Sequence, residues 1–166
     1  MIVVIAESVE RINALLALYR ESHYDVELPG VGTATILIGV DIPFEIARWI
    51  GPHPIAAYLT ACNPRSQSLS PNENEQRLDQ LRRQVRERGG DYLEGAGHVP
   101  GERWREPSLL VRGVGDAAID ALAREHEQNG ILIVPASGPV VLKLYRSDWQ
   151  SVLGNVAGIE WAAETR

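Results

Sequence analysis

Six side chains in this sequence have the types and spacing to do chemistry together. Asn63 closes an apolar stretch, and Asn74 and Arg77 follow at the opening of a polar one. Trp104 and Glu106 share the block Gly101-x-x-Trp-x-Glu-Pro-Ser108, and Gln128 stands just before Asn129-Gly130. A guanidinium can grip a phosphate or carboxylate with two parallel N–H donors. Carboxamides donate and accept, so Asn63, Asn74 and Gln128 suit the polar edge of a ligand. Trp104 offers a flat face for stacking. Glu106 is the carboxylate of a distinctive block and the candidate catalytic acid or base.

These residues depend on the elements that carry them. Ile55 to Cys62 reads as a central strand, apolar on both faces. Asn63-Pro64 ends it. Ser70-Pro-Asn-Glu73 is a helix start, with Ser70 as N-cap, Pro71 in the first turn and Glu73 closing a capping box. That helix is expected to run to about Arg88, with Leu78, Leu81 and Val85 as its buried stripe. Asn74 lies one turn before Leu78, on the core side, where an apolar residue would be cheaper. Free amides at the helix start, together with Arg77, could hold an anion if the loop folds back. A plainer account stands beside this. Asn63-Pro64 would merely end a strand, Asn72 and Asn74 would satisfy loop carbonyls, and Arg77 would pair with Glu73 or an acid elsewhere. For Trp104 and Glu106 it has the indole covering the core edge and the carboxylate paired with an arginine. Asn129-Gly130 fits a helix C-cap.

The remaining periodicity predicts helices over Ser8–Ser22 and Asp116–Gln128, with Pro43–Ile50 as a short helix or a loop. Strands are expected over Tyr24–Leu28, Thr33–Val40, Asp91–His98, Ser108–Arg112, Ile131–Val134 and Val140–Tyr145. The first two form one hairpin around Pro29-Gly30, and the last two another around Ser137-Gly-Pro. The tail from Ser147 would add a helix. The expected architecture is α+β, a mostly antiparallel mixed sheet with helices packed on it, in a single domain over residues 1–166.

Composition narrows the function. Hydrophobic residues make up 45 % of 166, enough for one core, and the net charge of −6 argues against nucleic acid or an anionic membrane surface. Lys143 is the one lysine among 16 basic residues. Cys62 is the single cysteine, so no internal disulfide forms and a cytoplasmic location is expected. It would be a buried thiol rather than a nucleophile. Met1–Ala6 is too short for a signal peptide, and no window reaches the length of a membrane helix. No histidines pair at metal-ligand spacing, and no metal is indicated. Gly113-Val-Gly115 lacks the third glycine of a dinucleotide fingerprint. No motif identifies a cofactor.

Four blocks carry a family resemblance: Tyr58-Leu-Thr-Ala-Cys-Asn-Pro-Arg-Ser66, Asn72-x-Asn-x-x-Arg77, Gly101-x-x-Trp-x-Glu-Pro-Ser108-Leu-Leu-Val and Gln128-Asn-Gly-Ile-Leu132. In order and spacing the chain resembles a bacterial family of domains of unknown function, the group numbered three-two-nine-three. The similarity spans about residues 12–145 and leaves 147–166 as a C-terminal extension. The resemblance implies a small stand-alone bacterial protein and supplies no activity. The expectation is therefore a pocket at the junction of strand 55–62 and helix 71–88. It would take a small anionic or nucleotide-like metabolite, with a hydrolase or transferase reaction as the default. The alternative is a non-catalytic adaptor or regulatory module. It would act through protein–protein contacts or as a homodimer, using apolar residues near Trp149 and Trp161.

Overall fold

A computed structural model describes residues 7–164; the apolar start Met1–Ala6 lies outside that range. Helix α1 (Val9–Glu21) is capped by Ser8, whose hydroxyl accepts the Arg11 amide, and it buries Ile12, Leu15 and Leu16. Strands β1 (His23–Leu28) and β2 (Gly32–Ile36) form the expected hairpin. There follow α2 (Phe44–Ile50), β3 (Ile55–Leu59), α3 (Pro71–Glu87), β4 (Asp91–His98), β5 (Glu106–Arg112), α4 (Asp116–Glu125), β6 (Gly130–Pro135), β7 (Val141–Leu144), α5 (Ser147–Leu153) and β8 (Ile159–Trp161). The eight strands make one mixed sheet in the order β2-β1-β4-β5-β3-β6-β7-β8. Every ladder is antiparallel except β7–β8, which is parallel. The segment after β2 reaches back to the start of β7, where Ile38 and Val140 bridge, so the sheet curls. The expected α+β architecture is the observed one.

The period-two alternation of the central strands builds two apolar layers. Tyr58, Leu110 and Leu132 face one side, with Ile12, Leu15 and Leu16 of α1, Ile46 and Ile50 of α2, and Trp149 of α5. Leu59, Leu109 and Ile131 face the other, under Leu78, Leu81 and Val85 of α3 and Ile119 and Leu122 of α4. Each such buried aliphatic side chain contributes roughly 1.5–3 kcal/mol.

Several boundaries depart from expectation, each for a local reason. Strand β3 ends at Leu59, not Cys62. The Thr60 hydroxyl accepts the Cys62 amide at 3.0 Å and donates to the Pro107 carbonyl at 2.6 Å, which turns the backbone out of the ladder. Helix α4 stops at Glu125 because Glu127 takes the left-handed conformation (φ 53°) and the Gln128 amide reaches back to the Ala123 carbonyl. Asn129 and Gly130 are thus not the cap. Gly130 opens β6, where a Cβ would stand 2.8 Å from a methyl of Leu144. The tail adds β8 as well as a helix, and Trp149, expected near an exposed apolar surface, is fully buried.

Candidate binding and acid–base site

Strand β5 aims Glu106, Ser108 and Leu110 at the α1 side of the sheet, and Leu109 and Val111 at the α3 side. On the α1 side the apolar layer stops at Leu110. Beyond it, at the end of the sheet, lies a cavity of about 360 Å³. Its floor is formed by Thr60, Glu106, Ser108 and Gln128, one wall by Tyr24 and Tyr58, and the roof by Leu15, Leu18 and Tyr19 of α1. Trp104, 53 % exposed, and Leu18, 47 % exposed, also line it. Burial holds the phenols of Tyr19, Tyr24 and Tyr58 well above their ordinary range, so all three are neutral.

Glu106 carries the chemistry of this hollow. Its Oε2 accepts the Asn63 side-chain amide at 2.8 Å, and Oε1 has no hydrogen-bond partner among the described residues. Burial pushes the carboxyl up to about 7, and the Asn63 bond only partly offsets that. A carboxyl titrating there can give or take a proton near neutrality.

Asn63 is held from three sides. Its Oδ1 accepts the Leu69 amide at 3.0 Å and the Asn74 side-chain amide at 2.8 Å, while its backbone N–H donates to Asn74 Oδ1 at 2.9 Å. Its φ of 47° is left-handed, as are those of Arg65 (53°) and Ser66 (58°). Such backbone in residues other than glycine costs on the order of 1–2 kcal/mol each and is kept where surroundings over-determine it. The Arg65 amide donates to the Glu127 carbonyl, and Asn129 Nδ2 donates to the Ser66 hydroxyl, so the turn is pinned to the end of α4.

The six predicted side chains are not brought together at one place. Asn63, Trp104, Glu106 and Gln128 line the cavity. Asn74 does not; it lines a second hollow of about 480 Å³ at the start of α3, together with Asn63, Cys62, Trp104 and Glu106. Arg77 lines neither. Its Nε donates to the Ala61 carbonyl at 2.6 Å and a terminal nitrogen donates to the His126 carbonyl at 2.8 Å. The guanidinium therefore ties the end of β3 to the end of α4, not to Glu73. Glu73 and Ser70 instead form the expected capping box. The expected anion cradle loses both its parts: the cation bonds backbone, and the helix start is capped from within. Cys62 is buried, with its sulfur 3.6 Å from the Pro107 carbonyl, and burial pushes its thiol up.

Sequence reasoning missed the α1 wall. Tyr19, Leu15 and the strand tyrosine Tyr58 read as ordinary core. The available signal was that tyrosine carries a polar tip, which a closed core rarely leaves without a partner.

No curated protein and no solved structure matches the chain. The profile of the family described as Protein of unknown function (DUF3293) matches residues 59–131. Tyr19, Tyr24 and Tyr58 fall outside that match. The resemblance drawn from the sequence blocks is borne out over that span: residues 59–131, which hold all six candidate side chains, are similar to DUF3293.

Proposed function

We propose that the cavity under α1 binds a small polar metabolite and that Glu106 is its acid–base group. The carrying observation is the carboxyl itself: half-buried, fixed by Asn63 through one oxygen, without a described partner at the other and pushed up to about 7. Trp104 at the lining would stack on a planar part of the ligand, and Gln128 would meet its polar edge. The strained turn at Asn63 supports the same reading, since backbone outliers cluster at functional sites. For the anionic or nucleotide-like ligand expected from the sequence, Arg77 is spent, and Arg11 of α1 is the one arginine on the cavity lining. A planar, nucleobase-like part fits the cavity better than a phosphate at the start of α3.

A thermal-shift panel of nucleosides, nucleotides, sugar phosphates, organic acids and amines tests this. The expected result is a saturable rise in Tm with at least one compound, weakened in both Glu106→Gln and Trp104→Ala. A saturable rise that neither variant alters would place binding elsewhere and overturn the proposal.

The adaptor reading keeps one observation in its favour: Asn74 bonds Asn63 through both polar atoms and Arg77 holds two backbone carbonyls, as a structural network would. It predicts that the whole panel is silent.

A further inference from the structure

Resting on the cavity reading above, we infer that the ligand presents hydrogen-bond donors to the cavity floor: an amine, amidine or amino-substituted ring, rather than a carboxylate or phosphate. The inference comes from counting which polar groups on the lining are already used.

Gln128 donates its side-chain nitrogen to the Cys62 carbonyl at 3.0 Å and to the His126 carbonyl at 3.1 Å. Two carbonyl partners fix the amide orientation, because an oxygen placed there would face two acceptors. Its Oε1 has no partner among the described residues and is not sealed away from solvent, and Gln128 lines the cavity. Glu106 likewise keeps Oε1 open while Oε2 takes the Asn63 amide. That Asn63 nitrogen points at the carboxylate, and its oxygen already accepts two bonds.

Five other donors on the lining are turned elsewhere, while the side chains of Ser66, Ser68, Trp104 and Arg11 donate to no described partner. Thr60 gives its proton to the Pro107 carbonyl, Ser108 to the Glu106 carbonyl, Tyr24 to the Tyr19 carbonyl, Tyr58 to the Asp25 carbonyl, and Ser22 to the Leu18 carbonyl. What the floor leaves open is therefore two acceptor oxygens, Glu106 Oε1 and Gln128 Oε1. The Tyr19 hydroxyl can serve either way. Arg11 and Glu102, both exposed on the lining, carry opposite charges. An anion set against Glu106 and Gln128 would meet two oxygens, one of them on a carboxylate, and would have to find its donors elsewhere on the lining. A donor-bearing cation meets a carboxylate and a carboxamide oxygen in a low-dielectric hollow with aromatic walls, a setting that favours it through both hydrogen bonding and the ring faces.

Matched probes decide the point: benzamidine against benzoate, and tryptamine against indoleacetate, titrated by calorimetry into the full chain. Benzamidine or tryptamine is expected to bind at least about tenfold more tightly than its carboxylate partner. Its affinity should rise close to tenfold per pH unit below about 7 and level off above, because the ionised carboxylate is the binding form. Glu106→Gln should weaken the amine and flatten that profile. The pH profile needs no variant and so stands even if the substitution perturbs folding. Preferential binding of the carboxylates would overturn the inference and leave the cavity reading in place. An amine affinity that is flat from pH 5.5 to 8 would overturn it too. Silence from both pairs overturns it as well, and the wider metabolite panel then reports separately on whether the cavity binds anything.

Discussion

The strand–helix junction divides into two regions that look alike in sequence and differ in what their hydrogen bonds leave over. On the α3 side, Asn74 and Arg77 end on partners inside the protein: both polar atoms of Asn74 meet Asn63, and Arg77 meets two backbone carbonyls. On the α1 side, Glu106 and Gln128 line the cavity, each fixed through one atom and with its Oε1 free of any partner among the described residues. Asn63 joins the two regions. The lesson concerns valence rather than polarity. A saturated polar group is frame, whereas a group held at one end and open at the other can meet a ligand without moving.

The contrast can be broken first at Arg77. Truncation to alanine leaves the Ala61 and His126 carbonyls without their charged donor, in the region where β3 meets α4. Arg77→Ala should lose about 3 kcal/mol of stability in chemical denaturation, with ligand affinity of the remaining folded protein nearly unchanged. A large loss of affinity with full stability would move Arg77 from frame to site.

Glu106 should show the opposite behaviour. Its carboxyl is raised to about 7 in the folded chain from an ordinary value of 4.5, so folding favours the protonated form. The associated stability is fully present below about 4.5 and is lost as pH rises through 7. Wild type should therefore lose roughly 2–3 kcal/mol between pH 4.5 and 8 through this group. Glu106→Gln should not, and should match or exceed wild-type stability at pH 8. Parallel stability–pH curves for the two proteins would refute the raised carboxyl.

The smallest structural effect belongs to Trp104. It is 53 % exposed, so Trp104→Ala should change stability by no more than about 0.5 kcal/mol. It should still weaken any ligand that stacks at the cavity. A stability loss of several kcal/mol would show the indole to be part of the core.

Much of the frame was legible in the sequence, and unevenly so. The α3 start was readable because a capping box is local chemistry, set by residues three apart. The strands were readable from alternation, and the α+β architecture from the order of elements. The ends of β3 and α4 were not, since one depends on Thr60 bonding a carbonyl 47 residues away and the other on a left-handed Glu127. Strand β8 was missed because a three-residue edge strand has no periodicity to show; its parallel pairing with β7 is purely long-range. Within the site, Asn63, Trp104, Glu106 and Gln128 were picked for their residue types and do line one cavity. Asn74 and Arg77 were picked for the same reason and do not line it.

By itself the sequence determined which side chains could carry chemistry, where helices start and which faces are apolar, because these follow from residue type and spacing of a few positions. Only the tertiary structure decided which polar atoms were left open. That outcome depends on carbonyls and amides brought together from β3, β5, α1 and the end of α4, and the distance along the chain between them holds no local signal of who bonds whom.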